Sequence, residues 1–297
     1  MQKTPILAWI LLVILAMMWG SSFILIKRGL VGLEAAEVGS LRIVAAAIFL
    51  LPFAISRLKT IDKKHIPYYI SVGFLGSLIP SFLFAVAQTQ LASAITGVLN
   101  GLVPIFTILI GLFILKQKQD SKVFIGVFVG FIGTILLIFA GEGVSFSGFN
   151  AYALLVVLAT ICYASNLNLI KQKLNAVHAI TVTSISMLFV LPIAAIHLFG
   201  FTDFWPKLMS VEGATTATLY ISLLGVMSTA IALIIFNKIL QMTTPLFASS
   251  VTYIIPIIAV AWGVIDGEEL YPLHYIGMLA VGLGVYIANK NRSLGKR

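Results

Sequence analysis

Apolar residues run along this chain in long blocks that are separated by short polar segments. A transmembrane helix needs about 20 predominantly apolar residues to cross the hydrocarbon core of a bilayer. The blocks reach that length, so we predict ten membrane-spanning helices. They cover approximately residues 6–26, 36–56, 67–87, 94–115, 122–140, 150–170, 179–199, 215–237, 246–265 and 272–289.

The composition indicates the same environment. Hydrophobic residues make up 60% of the 297 residues, charged residues make up 10%, and the mean hydropathy is +1.08. An average soluble domain carries about 25% charged residues. The connections are short, and the longest lies around residues 201–214. We therefore expect an all-α membrane protein with the lipid bilayer as a partner and with no soluble catalytic or nucleic-acid-binding domain.

The distribution of basic residues predicts the orientation in the membrane. If the N-terminus is cytoplasmic, 15 of the 19 Lys and Arg residues lie on the inner side, and eight of the ten acids lie on the outer side. Cytoplasmic loops are enriched in Lys and Arg, so we expect both termini in the cytoplasm. Lys27 and Arg28, at the outer end of the first helix, are the exception, and we expect their side chains to snorkel.

The first helix is written twice. The stretch WGSSFILIK at residues 19–27 returns in altered form as YASNLNLIK at residues 163–171, an offset of 144, and Pro104 matches Pro256 at an offset of 152. Five helices per repeat is an odd number, so the second half must enter the membrane upside down. Inverted repeats are a recurrent design of secondary transporters, with the substrate near the midplane. We predict two inverted five-helix repeats, residues 1–141 and 142–297, that work by alternating access.

Several short motifs occur in a fixed order along these helices. They are Trp19-Gly20-Ser21-Ser22-Phe23 in the first helix, Leu41-Arg42 early in the second, and Gly267-Glu268-Glu269-Leu270 after the Pro256 helix. In this order, and with ten helices, the chain resembles the EamA family of the drug/metabolite transporter superfamily over essentially its whole length. The resemblance implies a carrier of the bacterial inner membrane, commonly an exporter of amino acids, related metabolites or toxic compounds. One departure is Lys116-Gln117-Lys118 in the first repeat, where the family pattern is acidic.

Polar and aromatic side chains on shared helical faces are the candidates for substrate binding. Trp19 and Ser22 share a face of the first helix, and their repeat counterparts Tyr163 and Asn166 share a face of the sixth. We expect Trp19 and Tyr163 to face each other across a central cavity. The other candidates lie on the third, fourth and ninth helices: Ser77, Ser81, Phe84, Gln88, Thr96, Asn100, Thr252 and Tyr253. The alternative is that the small polar residues join helices.

Arg42 is the Lys or Arg residue predicted deepest inside a span. A charge in the membrane is costly and usually has a function or a partner. We consider two roles for Arg42, an ion pair with Glu37 or Glu34 and the attraction of a substrate carboxylate. Arg42 and Glu37 are therefore a candidate anion or ion-pair site.

These features predict a secondary active transporter that exports amino acids or related small amphiphilic metabolites. An exchanger of anionic sugars or nucleotide sugars is the alternative within transporters, and a channel is the alternative from another class. We find no HExxH motif, no intrahelical carboxylate pair and no Cys–His spacing that would chelate zinc. We therefore expect no enzyme activity, no cofactor, no metal site and no nucleic-acid partner. The substrate is a small molecule, and the sequence leaves the oligomeric state open, with a monomer compatible.

Overall fold

The computed structural model of the protein describes residues 6–114, 116, 121–139, 150–242 and 251–290. Of the residues at 60, 121–123, 138, 237, 240–242, 252–253 and 288–290 it describes the backbone only. Within these ranges the chain forms helices and no strand.

The helices follow the predicted apolar blocks to within a few residues at most ends. They are α1 (Ile6–Gly29), α2 (Ala35–Arg57), α3 (Lys63–Ala87), α4 (Ser93–Phe113), α5 (Ser121–Phe139), α6 (Tyr152–Lys173), α7 (Ala179–Gly200), α8 (Ala214–Phe236, continuing to Met242), α9 (Val251–Ile265) and α10 (Pro272–Lys290). A short helix, Phe204–Ser210, precedes α8.

Seven of the described helices, α1 to α4 and α6 to α8, are long and apolar enough to cross a membrane. The apolar segments of α5, α9 and α10 are shorter within the described ranges. Large apolar side chains such as Ile6, Phe113 and Leu279 are exposed on the outside of the bundle. A surface of this kind suits lipid rather than water. The predicted all-α membrane protein is confirmed, whereas the count of ten spans stays a prediction.

Helices from the first half of the chain pack on helices from the second half. α5 packs along α10, α2 along α7, and α4 along α9, while α1 contacts α8 and α9, and α6 contacts α3 and α4. The approach of α5 to α10 is very close. A Cβ atom placed on Gly284 would lie 2.4 Å from the backbone nitrogen of Gly130. Small residues at such positions allow two helix backbones to touch.

Breaks in α1, α3, α4 and α8 are not marked by the apolar pattern. α1 turns at Ser21, and α4 is interrupted at Gly101 and Leu102, because Pro104 has no N–H to donate to the carbonyl of Asn100. π-helical segments lie in α3 at Phe74–Leu78 and in α8 at Gly225–Ile231. Bulges of this type are frequent at functional sites.

Several connections meet at one end of the bundle. Asn150, before α6, donates a hydrogen bond to the carbonyl of Gln90, after α3, at 3.1 Å. Gly32, after α1, packs against Gly213 and Ala214 at the start of α8. The charge pattern predicts that this end faces outwards, and we call it the predicted outer end.

Candidate substrate-binding site

Trp19 and Ser22 of α1 both contact the π segment of α8. Trp19 Nε1 donates a hydrogen bond to the carbonyl of Ser228 at 2.9 Å, and the indole lies 5.7 Å from the ring of Phe236. The Ser22 hydroxyl donates to the Ser228 hydroxyl at 2.8 Å, and the Ser228 hydroxyl donates to the carbonyl of Met18 at 3.0 Å, which also lies 3.1 Å from Ser22 Oγ. The predicted shared face of Trp19 and Ser22 is therefore directed at α8.

Tyr163 and Asn166 of α6 lie against α3 in a corresponding way. The ring of Tyr163 stacks on Phe84, with centroids 5.9 Å apart, and Phe84 meets Phe23 of α1 edge-on at 5.9 Å. Asn166 covers Gly76 in the π segment of α3, where an added Cβ would lie 2.5 Å from the Asn166 amide nitrogen. Trp19 is thus placed on α8 and Tyr163 on α3, and a cavity between the two rings stays a prediction.

Three amide side chains in this region have buried atoms without a hydrogen-bond partner among the described residues. They are both amide atoms of Gln88 and the Oδ1 atoms of Asn100 and Asn166. Leaving a buried polar atom unpaired costs about 1–3 kcal/mol. Polar groups kept in this condition are candidates for binding a ligand or water, so the predicted roles of these three residues remain open.

The remaining predicted site residues are less informative. Ser81 is buried in α3, and Ser77 is half-buried in its π segment. Thr96 is buried and donates to the carbonyl of Ala92 in its own helix, as a helix-internal residue would. The side chains of Thr252 and Tyr253 lie outside the described part of the chain.

Arg42 is not the partner of the two acids near the start of its helix. Lys207 of the short helix is 2.6 Å from Glu34 and 3.0 Å from the fully buried carboxylate of Glu37. Arg42 is half-buried, and its side chain lies beside the Tyr163 hydroxyl. Glu37 therefore pairs with Lys207, 170 positions later in the chain, and not with Arg42.

Lys27 and Arg28, whose side chains we expected to snorkel, form ion pairs at the predicted outer end. Lys27 Nζ lies 2.6 Å from Asp266 and 2.9 Å from Glu268, and Arg28 pairs with Asp266. We call these four residues the outer latch. It links α1 to the connection between α9 and α10.

Glu268 also caps the first turn of α4. Its carboxylate accepts hydrogen bonds from the backbone N–H groups of Ser93 at 2.8 Å and Ala94 at 2.9 Å. Negative charge is favoured at a helix N-terminus. Burial raises the pKa of Glu268, but the hydrogen bonds from Ala94, Lys27 and Ser93 outweigh this, and the net pKa lies below its ordinary value of 4.5.

An open cavity of about 390 Å³ lies at the predicted outer end. Its lining includes Lys27, Leu33, Glu34, Gln88 and Thr89. The predicted site residue in this lining is Gln88, which stands one helical turn beyond Phe84. In the ranges that the structure covers, His, Cys, Asp and Glu side chains form no group of three that would hold a metal ion.

Comparison with known proteins identifies the family. Residues 7–139 and 150–290 each match the EamA-like transporter family. The chain belongs to this family. A protein of Archaeoglobus fulgidus described as a transporter is 25% identical over 285 residues, which cover 96% of this chain and 99% of that protein. A Salmonella typhimurium protein described as a probable amino-acid metabolite efflux pump is 23% identical over 289 residues, 93% of each chain.

A solved structure shares the fold of this transporter. At 15% sequence identity it matches with a TM-score of 0.63 and covers 97% of this chain and 99% of its own. The family match and the relatives described as transporters identify the protein as a multi-pass membrane transporter, and the predicted EamA resemblance is confirmed.

Two residues of the site were not selected from the sequence. One feature of the sequence could have indicated Ser228: it is the repeat counterpart of Ser77. The neighbouring positions on that face of α8 are apolar. Lys207 had no such feature, because its acidic partners are more than 160 positions away.

Proposed function

We propose that this transporter is a secondary active carrier of the bacterial inner membrane that exports amino acids or related small amphiphilic metabolites by alternating access. In this proposal ten transmembrane helices form two inverted repeats, residues 1–141 and 142–297. Both termini lie in the cytoplasm, and the predicted outer end faces away from it.

The observation that carries the proposal is the matched packing of the two halves. Trp19 of α1 packs on Phe236 of α8, and Tyr163 of α6 packs on Phe84 of α3. Tyr163 follows Trp19 by 144 positions, the offset of the sequence repeat, and Phe236 follows Phe84 by 152, one position more than the offset of 151 that relates Ser77 to Ser228. The pairs α2 with α7, α4 with α9 and α5 with α10 also join equivalent helices. A two-fold axis between halves of five helices each would produce this pattern and an inverted topology.

The side chains at the site suit a small amphiphilic molecule. Trp19, Phe84 and Tyr163 provide aromatic surface, the amides of Gln88 and Asn166 are neutral, and Arg42 supplies a positive charge. Sites of this kind bind by apolar walls with a few orienting polar groups. Relatives in Salmonella typhimurium and Escherichia coli are described as probable amino-acid metabolite efflux pumps, which supports the same substrate class.

The ion pairs at the two ends of the protein are unequal, as expected for one state of an alternating cycle. Lys27 with Glu268, and Glu37 with Lys207, join the first half to the second at the predicted outer end. At the opposite end, the repeat counterparts of Lys27 and Glu268 are Lys171 and Lys116, which are both exposed cations. We assign the structure to a state that ion pairs hold closed towards the outside.

Transport into proteoliposomes tests the proposal. Purified protein would be reconstituted and the flux of each labelled proteinogenic amino acid measured, with and without an imposed pH gradient and with unlabelled substrate inside. We expect a saturable flux that is accelerated by exchange for at least one amino acid. Non-saturable flux would indicate a channel, and exchange of nucleotide sugars alone would indicate the other transporter class; either result would overturn the proposal.

Substitutions at the site test the same proposal. We expect Trp19→Ala, Tyr163→Ala and Asn100→Leu to lose most of the flux while keeping the wild-type melting temperature. Cys162→Ala, beside Tyr163 but about 100° around the helix, is the control and should transport normally. Normal transport by the first three variants would show that they are packing residues.

A further inference from the structure

We propose that Arg42 and Tyr163 form a subsite that binds a carboxylate group of the transported molecule, and that Gln88 lies on its path to the outer cavity. This inference rests on the proposed export function, and it names the chemical group that a substrate must carry.

The first argument is the charge of Arg42. It stands seven residues inside α2, roughly 10 Å from the first residue of the helix at 1.5 Å per residue. Measured by insertion, an Arg near the centre of a span costs about 2.5–3.5 kcal/mol. Such a residue is normally compensated by a negative charge. Arg42 is half-buried: its backbone carbonyl packs against Gly225 of α8, and its side chain lies beside Tyr163 of α6.

The acids closest to Arg42 in the sequence have other partners. Glu34 and Glu37 bind Lys207. The acids of the outer latch, Asp266 and Glu268, bind Lys27 and Arg28. No carboxylate in the described parts of the chain forms an ion pair with Arg42. We infer that the negative charge is supplied by the substrate.

The second argument is the geometry of the donors. The guanidinium group of an Arg presents a planar fork of N–H groups that matches both oxygens of a carboxylate. When the Tyr163 oxygen accepts a hydrogen bond from Arg42, its own O–H proton remains free to donate. The ring of Tyr163 is held by its stack on Phe84, which Phe23 holds in turn. The phenol beside Arg42 is thus held in position before a substrate arrives.

The third argument is independent of Arg42. Gln88 is only 7% exposed, and neither atom of its amide has a hydrogen-bond partner among the described residues. It lines the outer cavity and lies on the same face of α3 as Phe84, one turn further out. The unpaired amide of Gln88 could therefore hydrogen-bond to a substrate between the cavity and the rings of Phe84 and Tyr163.

Two ligands of equal size separate charge from shape. Phenylacetate and phenylacetamide would be titrated against the purified wild type, with intrinsic tryptophan fluorescence and the melting temperature as readouts. We expect wild type to bind phenylacetate at least tenfold more tightly than phenylacetamide. Arg42→Gln should abolish this preference. Tyr163→Phe, which keeps the stack on Phe84, should reduce it at least threefold without changing the affinity for phenylacetamide.

Arg57→Gln is the matched control. Arg57 lies on the same helix but at its other end, where it donates to the Thr181 hydroxyl, so its loss should leave the preference unchanged. Wild-type preference in Arg42→Gln, or no preference in wild type, would overturn the inference. If Arg42→Gln does not fold, Tyr163→Phe decides the question in the same way. Amino-acid flux without a carboxylate preference would overturn this inference only, whereas a preference without amino-acid flux would overturn only the proposed export function.

Discussion

Glu268→Gln is the substitution that should open the outer latch. In the wild type its carboxylate binds Lys27 and accepts two hydrogen bonds from the backbone of α4. The glutamine side chain has the same shape but only one acceptor oxygen. Its amide nitrogen would point at a backbone N–H group, so one of the two donors, on Ser93 or Ala94, would lose its acceptor.

The structure gives the size of the effect. A hydrogen bond between a charged group and a backbone donor contributes about 1.5–3 kcal/mol, and the side chain of Glu268 is only 3% exposed, so this value needs little reduction. Lys27 is 36% exposed, and its ion pair is partly screened, adding less than about 1 kcal/mol. The closed state should lose about 2–4 kcal/mol. The lower value already changes the ratio of closed to open molecules about 30-fold, since 1.4 kcal/mol is tenfold.

Distances between spin labels would detect the opening. Labels would be attached at Val31→Cys and Ile265→Cys, two exposed positions at the predicted outer end in opposite halves, after Cys162, the single cysteine, is replaced by Ala. We expect a single short distance in the parent protein and a second, longer distance in Glu268→Gln. Glu269→Gln changes the exposed neighbour and is the control. An identical distance distribution in all three proteins would refute the view that the latch holds this end closed.

Three further predictions concern stability and pH. Gly284→Ala should destabilise the protein by about 1–3 kcal/mol and lower its melting temperature, because the added Cβ would lie 2.4 Å from Gly130. Gly282→Ala is the control, since nothing lies within 4 Å of its added Cβ. Equal melting temperatures of the two variants would contradict the packing of α5 on α10. Lys207→Gln should lower the free energy of unfolding by about 2–3 kcal/mol, because it leaves the fully buried Glu37 carboxylate without its ion-pair partner. The loss is somewhat smaller than for a fully buried pair, since Lys207 is 20% exposed. An unchanged melting temperature would show that the pair contributes nothing. Because the pKa of Glu268 is lowered, the latch should be fully charged above its ordinary value of 4.5 and weaken only below it; a label distance that changes between about pH 5.5 and 8 would contradict this.

The helices and the family were predictable because their signals are local. Each helix could be predicted from the length of its apolar block, which matches the thickness of the bilayer. The correspondence of Trp19 with Tyr163 could be read directly from the repeated sequence. The resemblance also directed attention to α1 and α6, whose aromatic residues do contact α3 and α8.

The partners of the charged residues were not predictable, because they depend on which distant segments meet. For Arg42, an ion pair with Glu37 or Glu34 was one of two expectations, and in the structure both acids pair with Lys207 instead. Snorkelling was the expectation for Lys27, and nothing in its own helix indicates that its ion-pair partner is Glu268, 241 positions away. The π segments were also missed, since an extra residue in one turn leaves no trace in the hydropathy.

Because α5 packs tightly on α10, the first half of the protein cannot complete its packing until the second half has been synthesised. About 130 residues separate the end of α5 from the start of α10, and ribosomes add about 5–20 residues per second. For roughly 7–26 s the glycine-lined surface of α5 is in the membrane without the helix that covers it. A second nascent copy, or a membrane chaperone, would meet that surface first. The packing of α5 therefore depends on α10 reaching it in the membrane after the intervening residues have been made.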